Sequence, residues 1–346
     1  MVYASGQPFR GWRVPPPDVA RFLTAPWPRY VTLEDILINI VAYVPVGFLL
    51  ALALRPHART HRAAGLAMAA GIALSIALEY MQTLLPNRVA SNVDVLTNGI
   101  GTVLGALAAP LFGPTRQLGQ RLFGLRERWF EPGMYADAGL ILLALWLLTG
   151  LHPTAQLFGT GDLRSTLDLP VLLLHKPHIA VASEAAVVAL NLVGMGLLIA
   201  TVLRPGVRLP RLALAAALAA LAVKAVAAAG VKTASPWSWL TPGVTLGLVV
   251  GAVLLYAASG LRRRRAALWG AVALLLALLV INVAPGNPYH SVPRQFLAGG
   301  ASHFLSYTGM VRALSEVWPL LAVAYLLVAA GSRALHGAGA APGHRL

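Results

Sequence analysis

Cysteine is absent from the 346 residues, and charge is scarce, with Lys, Arg, Asp and Glu making up 11% of the chain. The first absence excludes disulfides, thiol catalysis and iron–sulfur clusters and leaves the redox compartment open. The second excludes a water-soluble globule, which needs roughly 25% charged residues to cover its surface. Acidic residues are the scarcer sign, 12 against 27 Lys and Arg, for a formal net charge of +15. In a soluble chain that excess points to nucleic acid. Here the basic residues stand in short clusters between long apolar runs, as cytoplasmic loops facing anionic lipid do, so no nucleic-acid partner is expected. No Gly-rich stretch continues to Gly-Lys-Ser/Thr, which excludes an ATP-driven pump for this chain alone. No H-E-x-x-H occurs, and His152, His175, His178, His290 and His303 read as parts of interfacial loops, so neither metal nor cofactor is expected.

What the chain has in abundance is apolar sequence, 58% by residue, with a mean hydropathy of +0.70. A membrane helix needs about 20 mostly apolar residues. Nine runs qualify, near 33–54, 63–85, 92–112, 135–151, 183–203, 209–231, 240–259, 266–284 and 314–331. The fold class is therefore all-α, a polytopic transmembrane bundle of about nine helices. Alternate loops carry sixteen Lys and Arg on one side and ten on the other. The richer set includes Arg55, Arg116, Arg204, Arg262 and Arg333, which the positive-inside rule assigns to the cytoplasm. Nine spans then place the N-terminus outside and the C-terminus inside. An external start with no apolar segment in residues 1–30 reads in two ways, as topology set by the charge bias of later helices or, the reading favoured, as a helix upstream of Met1. The parts read as an external segment 1–32, a three-helix unit 33–112, a connector 113–182 with one helix and an external loop, a three-helix unit 183–259, and C-terminal helices and tail 260–346.

Polar side chains concentrate in residues 34–101. Such groups inside membrane helices are costly and face protein or water. In the first helix Asn39 and Tyr43 share a face, and Pro45 and Gly47 loosen the backbone. In the second, Ser75, Glu79 and Gln82 form one stripe, which points a carboxylate into the bundle about six residues from the outer end. The next loop carries Arg88. Ser91 with Asp94 reads as a helix N-cap with an acidic third residue, and Asn98 shares the face of Asp94. Gly101 and Gly105 make a small-residue contact face. Asn39 and Asn98 read equally as interhelical hydrogen-bond glue, Ser91 and Asp94 as a cap alone, and Glu79 as an ion pair with Arg88 or Lys224. Taken together, the group predicts a polar site open to the external leaflet.

The series Asn39-x-x-x-Tyr43-x-Pro45-x-Gly47, Ser75-x-x-x-Glu79-x-x-Gln82 and Leu85-Pro86-x-Arg88-x-x-Ser91-x-x-Asp94-x-x-x-Asn98-x-x-Gly101 resembles the VanZ-like family of bacterial membrane proteins. The founding member is associated with teicoplanin resistance, so the resemblance implies a bacterial cytoplasmic-membrane protein tied to the cell envelope and to antibiotic resistance. Tyr3-Ala4-Ser5-x-x-Pro8-Phe9-x-Gly11-Trp12 and His303-Phe304-Leu305 with Trp318-Pro319 are similar to the ends of longer members.

Spans five to seven read as a worn copy of spans one to three, a degenerate parallel repeat, or as chance likeness among Ala/Leu-rich helices. Asn191 stands for Asn39, Thr241-Pro242-Gly243 for Thr97-Asn98-Gly99, and Lys224 falls near the position of Glu79. Lys224 then pairs with Glu79 or snorkels to the membrane surface. Three functions stay open. One is binding of an envelope lipid or lipid-linked precursor by Asn39, Glu79, Gln82, Arg88, Asp94 and Asn98. Another is a membrane enzyme on a lipid or peptidoglycan precursor, with Glu79 or Asp94 as general acid or base. The third is proton-coupled transport through Glu79. The oligomeric state is not legible.

Overall fold

The computed structural model describes residues 12–14, 18–28, 31, 33–86, 89–113, 116–152, 155–164, 167, 170, 172, 176–229, 237, 239–285 and 302–331. Among them are ten α-helices: α1 (Leu33–Leu54), α2 (Thr60–Thr83), α3 (Asn92–Ala108), α4 (Gln117–Trp129), α5 (Met134–Thr149), α6 (Pro177–Val202), α7 (Leu209–Ala229), α8 (Pro242–Ala258), α9 (Arg263–Val283) and α10 (Ser302–Gly331). Seven are long and apolar enough to cross a membrane when α3 is taken through its 3₁₀ extension to Phe112, while α5 and α8 are shorter apolar helices. Each of the nine predicted runs falls on one of these nine helices. The tenth, α4, is polar and amphipathic and lies where the sequence reading placed a cytoplasmic loop.

Contacts divide the chain into two units, Met1–Arg126 with Leu297–Met310, and Glu127–Phe296 with Val311–Leu346. In the first, α1, α2 and α3 pack against one another. The tightest seam joins α3 to α1. A side chain at Gly101 would strike the Ile40 carbonyl, one at Gly105 the Val44 carbonyl, and one at Gly47 the Thr102 carbonyl. The two backbones therefore touch, the close approach that small residues allow where lipid offers no hydrophobic drive for association. Pro45 lies inside α1 on an exposed face, so its ring sits away from this seam. The N-terminal segment is tied to the same end of the bundle. Arg13 donates through its backbone N–H to the Leu84 carbonyl (2.9 Å) and through Nε to that of Thr83 (3.1 Å), which serves orphan carbonyls at the end of α2. Asn92 Nδ2 donates to the Ala25 carbonyl (2.6 Å).

In the second unit α6 is the axis, buried over 83% of its apolar stretch and packed by α5, α7, α8 and α9. A helix apolar on every face belongs at the centre of a bundle. The seam with α8 is again glycine on backbone, with Gly243, Gly247 and Gly251 set against Val181, Ala185 and Ala189. Between α5 and α6 the chain does not stay on the surface. Leu157, Phe158 and Thr160 are buried, and Phe158 has a positive φ of 57°, a strained backbone for a bulky residue.

Candidate functional site

The polar residues of α1, α2 and α3 meet in two layers near the end of the bundle where α2 stops and α3 starts. In the upper layer the backbone N–H of Ser91 donates to Glu79 Oε2 (2.9 Å), and Asn39 Nδ2 donates to Asp94 Oδ1 (2.9 Å). Ser91 is the N-cap of α3, its hydroxyl accepting from the Val93 N–H (3.2 Å). In an ordinary capping box the third helical residue, here Asp94, would take the N-cap amide. Glu79 takes it instead from the neighbouring helix, at the positive end of the α3 dipole, and Asp94 turns to Asn39.

The lower layer lies one turn deeper. Asn98 Nδ2 donates to Ser75 Oγ (2.9 Å), and Ser75 is also hydrogen-bonded to the Tyr43 hydroxyl, which feels the charges of both Glu79 and Asp94. Ser75 sits eight residues before the end of α2, about 12 Å along the helix axis. Tyr43, Ser75, Glu79, Gln82, Asp94 and Asn98 are all buried, none more than 6% exposed. Thr97 and Thr102 are buried too, but their hydroxyls return to the carbonyls of Val93 (2.9 Å) and Asn98 (2.9 Å) in their own helix and add nothing to the cluster. Asn98 Oδ1 is buried and meets no hydrogen-bond donor among the described residues.

The structure thus brings Asn39, Tyr43, Ser75, Glu79, Ser91, Asp94 and Asn98 together and buries Gln82 on the stripe of Ser75 and Glu79. Arg88 lies outside the described residues, as do His175 and His290. The sequence reading missed Arg13, which binds the end of the same bundle. The signal available was a basic residue just ahead of a run of prolines, at 15–17.

A second polar constellation holds the buried segment of the second unit. Lys224 is 1% exposed. Its ammonium donates to the carbonyls of His152 (2.7 Å) and Ala155 (2.5 Å). His152 Nδ1 accepts from the Ala155 N–H (3.1 Å). Burial first, then the positive charges of Lys224 and Arg312, push the imidazole down to about 4. Thr160 Oγ1 donates to Asn191 Oδ1 (3.2 Å), while Asn282 Nδ2 donates to the Gly161 carbonyl (2.7 Å) and its Oδ1 accepts from the Leu163 N–H (2.8 Å). Backbone buried outside a helix is tolerated when its groups are satisfied by protein in this way. Beside Lys224 lies a cavity of about 20 Å³, lined by Trp146, Thr149, Gln156, Thr160 and Ser315 among others, room for one water. Nearer the surface, Arg164 grips Asp162 through Nε and Nη2 (2.8 and 2.7 Å), and that hydrogen bonding raises its already high affinity for a proton.

The predicted register of the repeat is not that of the helices. Thr241 is the N-cap of α8, whereas Thr97 lies inside α3, so the structural counterpart of Thr241 is Ser91. Among the described residues no cluster of three His, Asp or Glu side chains is placed to hold a metal.

No curated protein matches the chain. No solved structure matches it either. A family model described as VanZ/LLP1 matches residues 7–113, a span that takes in Arg13, the three helices and every member of the two-layer cluster. The match ends at residue 113, and further apolar helices lie beyond it.

Proposed function

We propose that this is a multi-pass protein of the bacterial cytoplasmic membrane, with its C-terminus inside, which binds an envelope lipid or lipid-linked molecule at the two-layer cluster. One observation carries the reading. Asn98 Oδ1 is a buried acceptor with no donor among the described residues, and leaving such a group unfilled costs about 1–3 kcal/mol. A hydroxyl or amide of a headgroup would fill it, one turn below the layer of Asn39, Glu79 and Asp94. The link to glycopeptide tolerance follows from the family and is part of the same proposal.

The test is native mass spectrometry of the protein in lipid nanodiscs, comparing wild type with Asn98→Leu, Glu79→Gln and Glu79→Asp. Binding predicts a discrete lipid species on the wild type that disappears from Asn98→Leu. Identical spectra for all four proteins overturn it. A second reading is favoured by the two carboxylates, Glu79 and Asp94, acting on one tyrosine: Glu79 moves a proton, in transport or in acid–base work on a lipid or peptidoglycan precursor. Proton uptake into proteoliposomes that is lost in Glu79→Gln and partly kept in Glu79→Asp would mark that reading.

A further inference from the structure

Helix α4 is 13 residues long and stands apart from the nine apolar helices. Its Leu118, Leu122, Leu125 and Trp129 recur at i, i+4, i+7 and i+11 and form one stripe. The three leucines are 40–45% exposed, and Gly119 is the only buried residue of the helix; Phe123, 51% exposed, lies off the stripe, towards the face of Gln120. Arg121 and Arg128 border the stripe and Arg116 stands just before it, all exposed. From 116 to 129 there are four Arg against one Glu and no Asp.

Two facts say what covers this face. The charge is complementary to anionic lipid headgroups, each basic residue near such a surface contributing about 1 kcal/mol. The tethers are short as well, four residues separating α4 from the apolar stretch that ends at Phe112 and four from α5. Four residues reach at most about 14 Å, so α4 stays close to the bilayer boundary at both ends.

We propose that α4 lies along the cytoplasmic membrane surface, with Leu118, Leu122, Leu125 and Trp129 sunk to the acyl boundary and Arg116, Arg121 and Arg128 on anionic headgroups. Long basic side chains bordering an apolar stripe let the helix sink while the charge stays in water, the arrangement of interfacial helices. The inference is independent of the polar cluster and of its ligand.

The chain has no cysteine, so single spin labels report without background. The full-length protein, carrying Leu122→Cys or Gln120→Cys, is labelled with a nitroxide and placed in nanodiscs containing phosphatidylglycerol. Collision with oxygen, which concentrates in lipid, is compared with collision with a water-soluble nickel complex. The oxygen-to-nickel ratio at Leu122 is expected to exceed that at Gln120, on the opposite face, by several-fold. Equal ratios overturn the proposal. So does a label at Leu122 shielded from both reagents and broadened by a second label, since a second copy then covers the stripe. The headgroup half is tested with zwitterionic discs or raised salt, where the Leu122 ratio should fall several-fold. In the Arg116→Gln, Arg121→Gln, Arg128→Gln variant the dependence on lipid charge should shrink several-fold, and a wild type indifferent to lipid charge overturns that half.

Discussion

Both units press a glycine-bearing helix onto the backbone of a neighbour, and both set a carboxylate at the N-cap of that helix. In the first, Glu79 takes the backbone amide of Ser91 above the Gly101 and Gly105 seam. In the second, Glu184 takes the Thr241 hydroxyl (2.7 Å) above the Gly243 and Gly247 seam. The difference lies below the cap. Asn191 of the second unit is satisfied at both ends of its amide, accepting from Thr160 and donating to the Val187 carbonyl (3.0 Å). Asn98 of the first has a partner for its nitrogen and none among the described residues for its oxygen. The same architecture is closed in one unit and left with a spare acceptor in the other. Buried polar groups that are fully bonded specify a packing, whereas a spare acceptor is the opening on which the proposed ligand rests.

The comparison breaks most severely at the seams. Gly105→Leu and Gly247→Leu each drive a side chain into a carbonyl of the facing helix, Val44 or Ala185, and should each cost about 3 kcal/mol, the upper end of overpacking. Thermal unfolding in detergent should show both, with Gly105→Leu also abolishing lipid retention. Next, Lys224→Met removes the donor from two buried carbonyls and should cost about 2–3 kcal/mol, read as faster proteolysis at 152–161, with the proposed lipid retention by the first unit unchanged. Loss of that lipid would show the two units to be functionally coupled.

Acid should distinguish the units by a similar amount. The folded imidazole of His152 is held near 4 against about 6.5 when unfolded, so between those values the unfolded chain binds the extra proton. The stabilisation is therefore complete above pH 6.5 and is lost as pH falls from 6.5 towards 4, by up to about 3 kcal/mol. Melting temperatures across that window should fall in the wild type and stay flatter in His152→Asn, whose amide oxygen can still accept the Ala155 N–H. Asn98→Leu should move stability by under about 1 kcal/mol, since the lost bond to Ser75 is offset by removing the unfilled acceptor, yet it should empty the site. The smallest effect is a control. Nothing lies within 4 Å of a side chain added at Gly65, so Gly65→Ala should stabilise α2 by about 0.5–1 kcal/mol and leave lipid retention alone.

The nine apolar helices were legible because membrane length and hydropathy are properties of single runs. Helix α4 was not, because its signal is the spacing of four apolar residues among arginines, which a search for apolar runs passes over. The cluster was legible as a set, since Asn39, Ser75, Glu79, Asp94 and Asn98 each face inward by helical period. Its wiring was not: Ser91 and Asp94 read as one capping box, and only the packing of α2 beside α3 shows that Glu79 takes the amide and releases Asp94. The partners of Lys224 were hidden for a different reason. Main-chain carbonyls belong to every residue, and no residue type advertises one that has been left without a helix.

The buried segment 155–161 also imposes an order of manufacture. Each side chain outside it that anchors it, Asn191, Lys224 and Asn282, is synthesised later than the segment itself. Even Asn282 does not complete the set, because the Gly161 N–H donates to the Ser315 carbonyl (2.8 Å), and a buried backbone group needs its partner. The segment's bonds therefore close only after α6, α7, α8, α9 and the first half of α10 have been made. A nascent chain stalled before residue 282 should leave it open to protease, and the finished protein should close it.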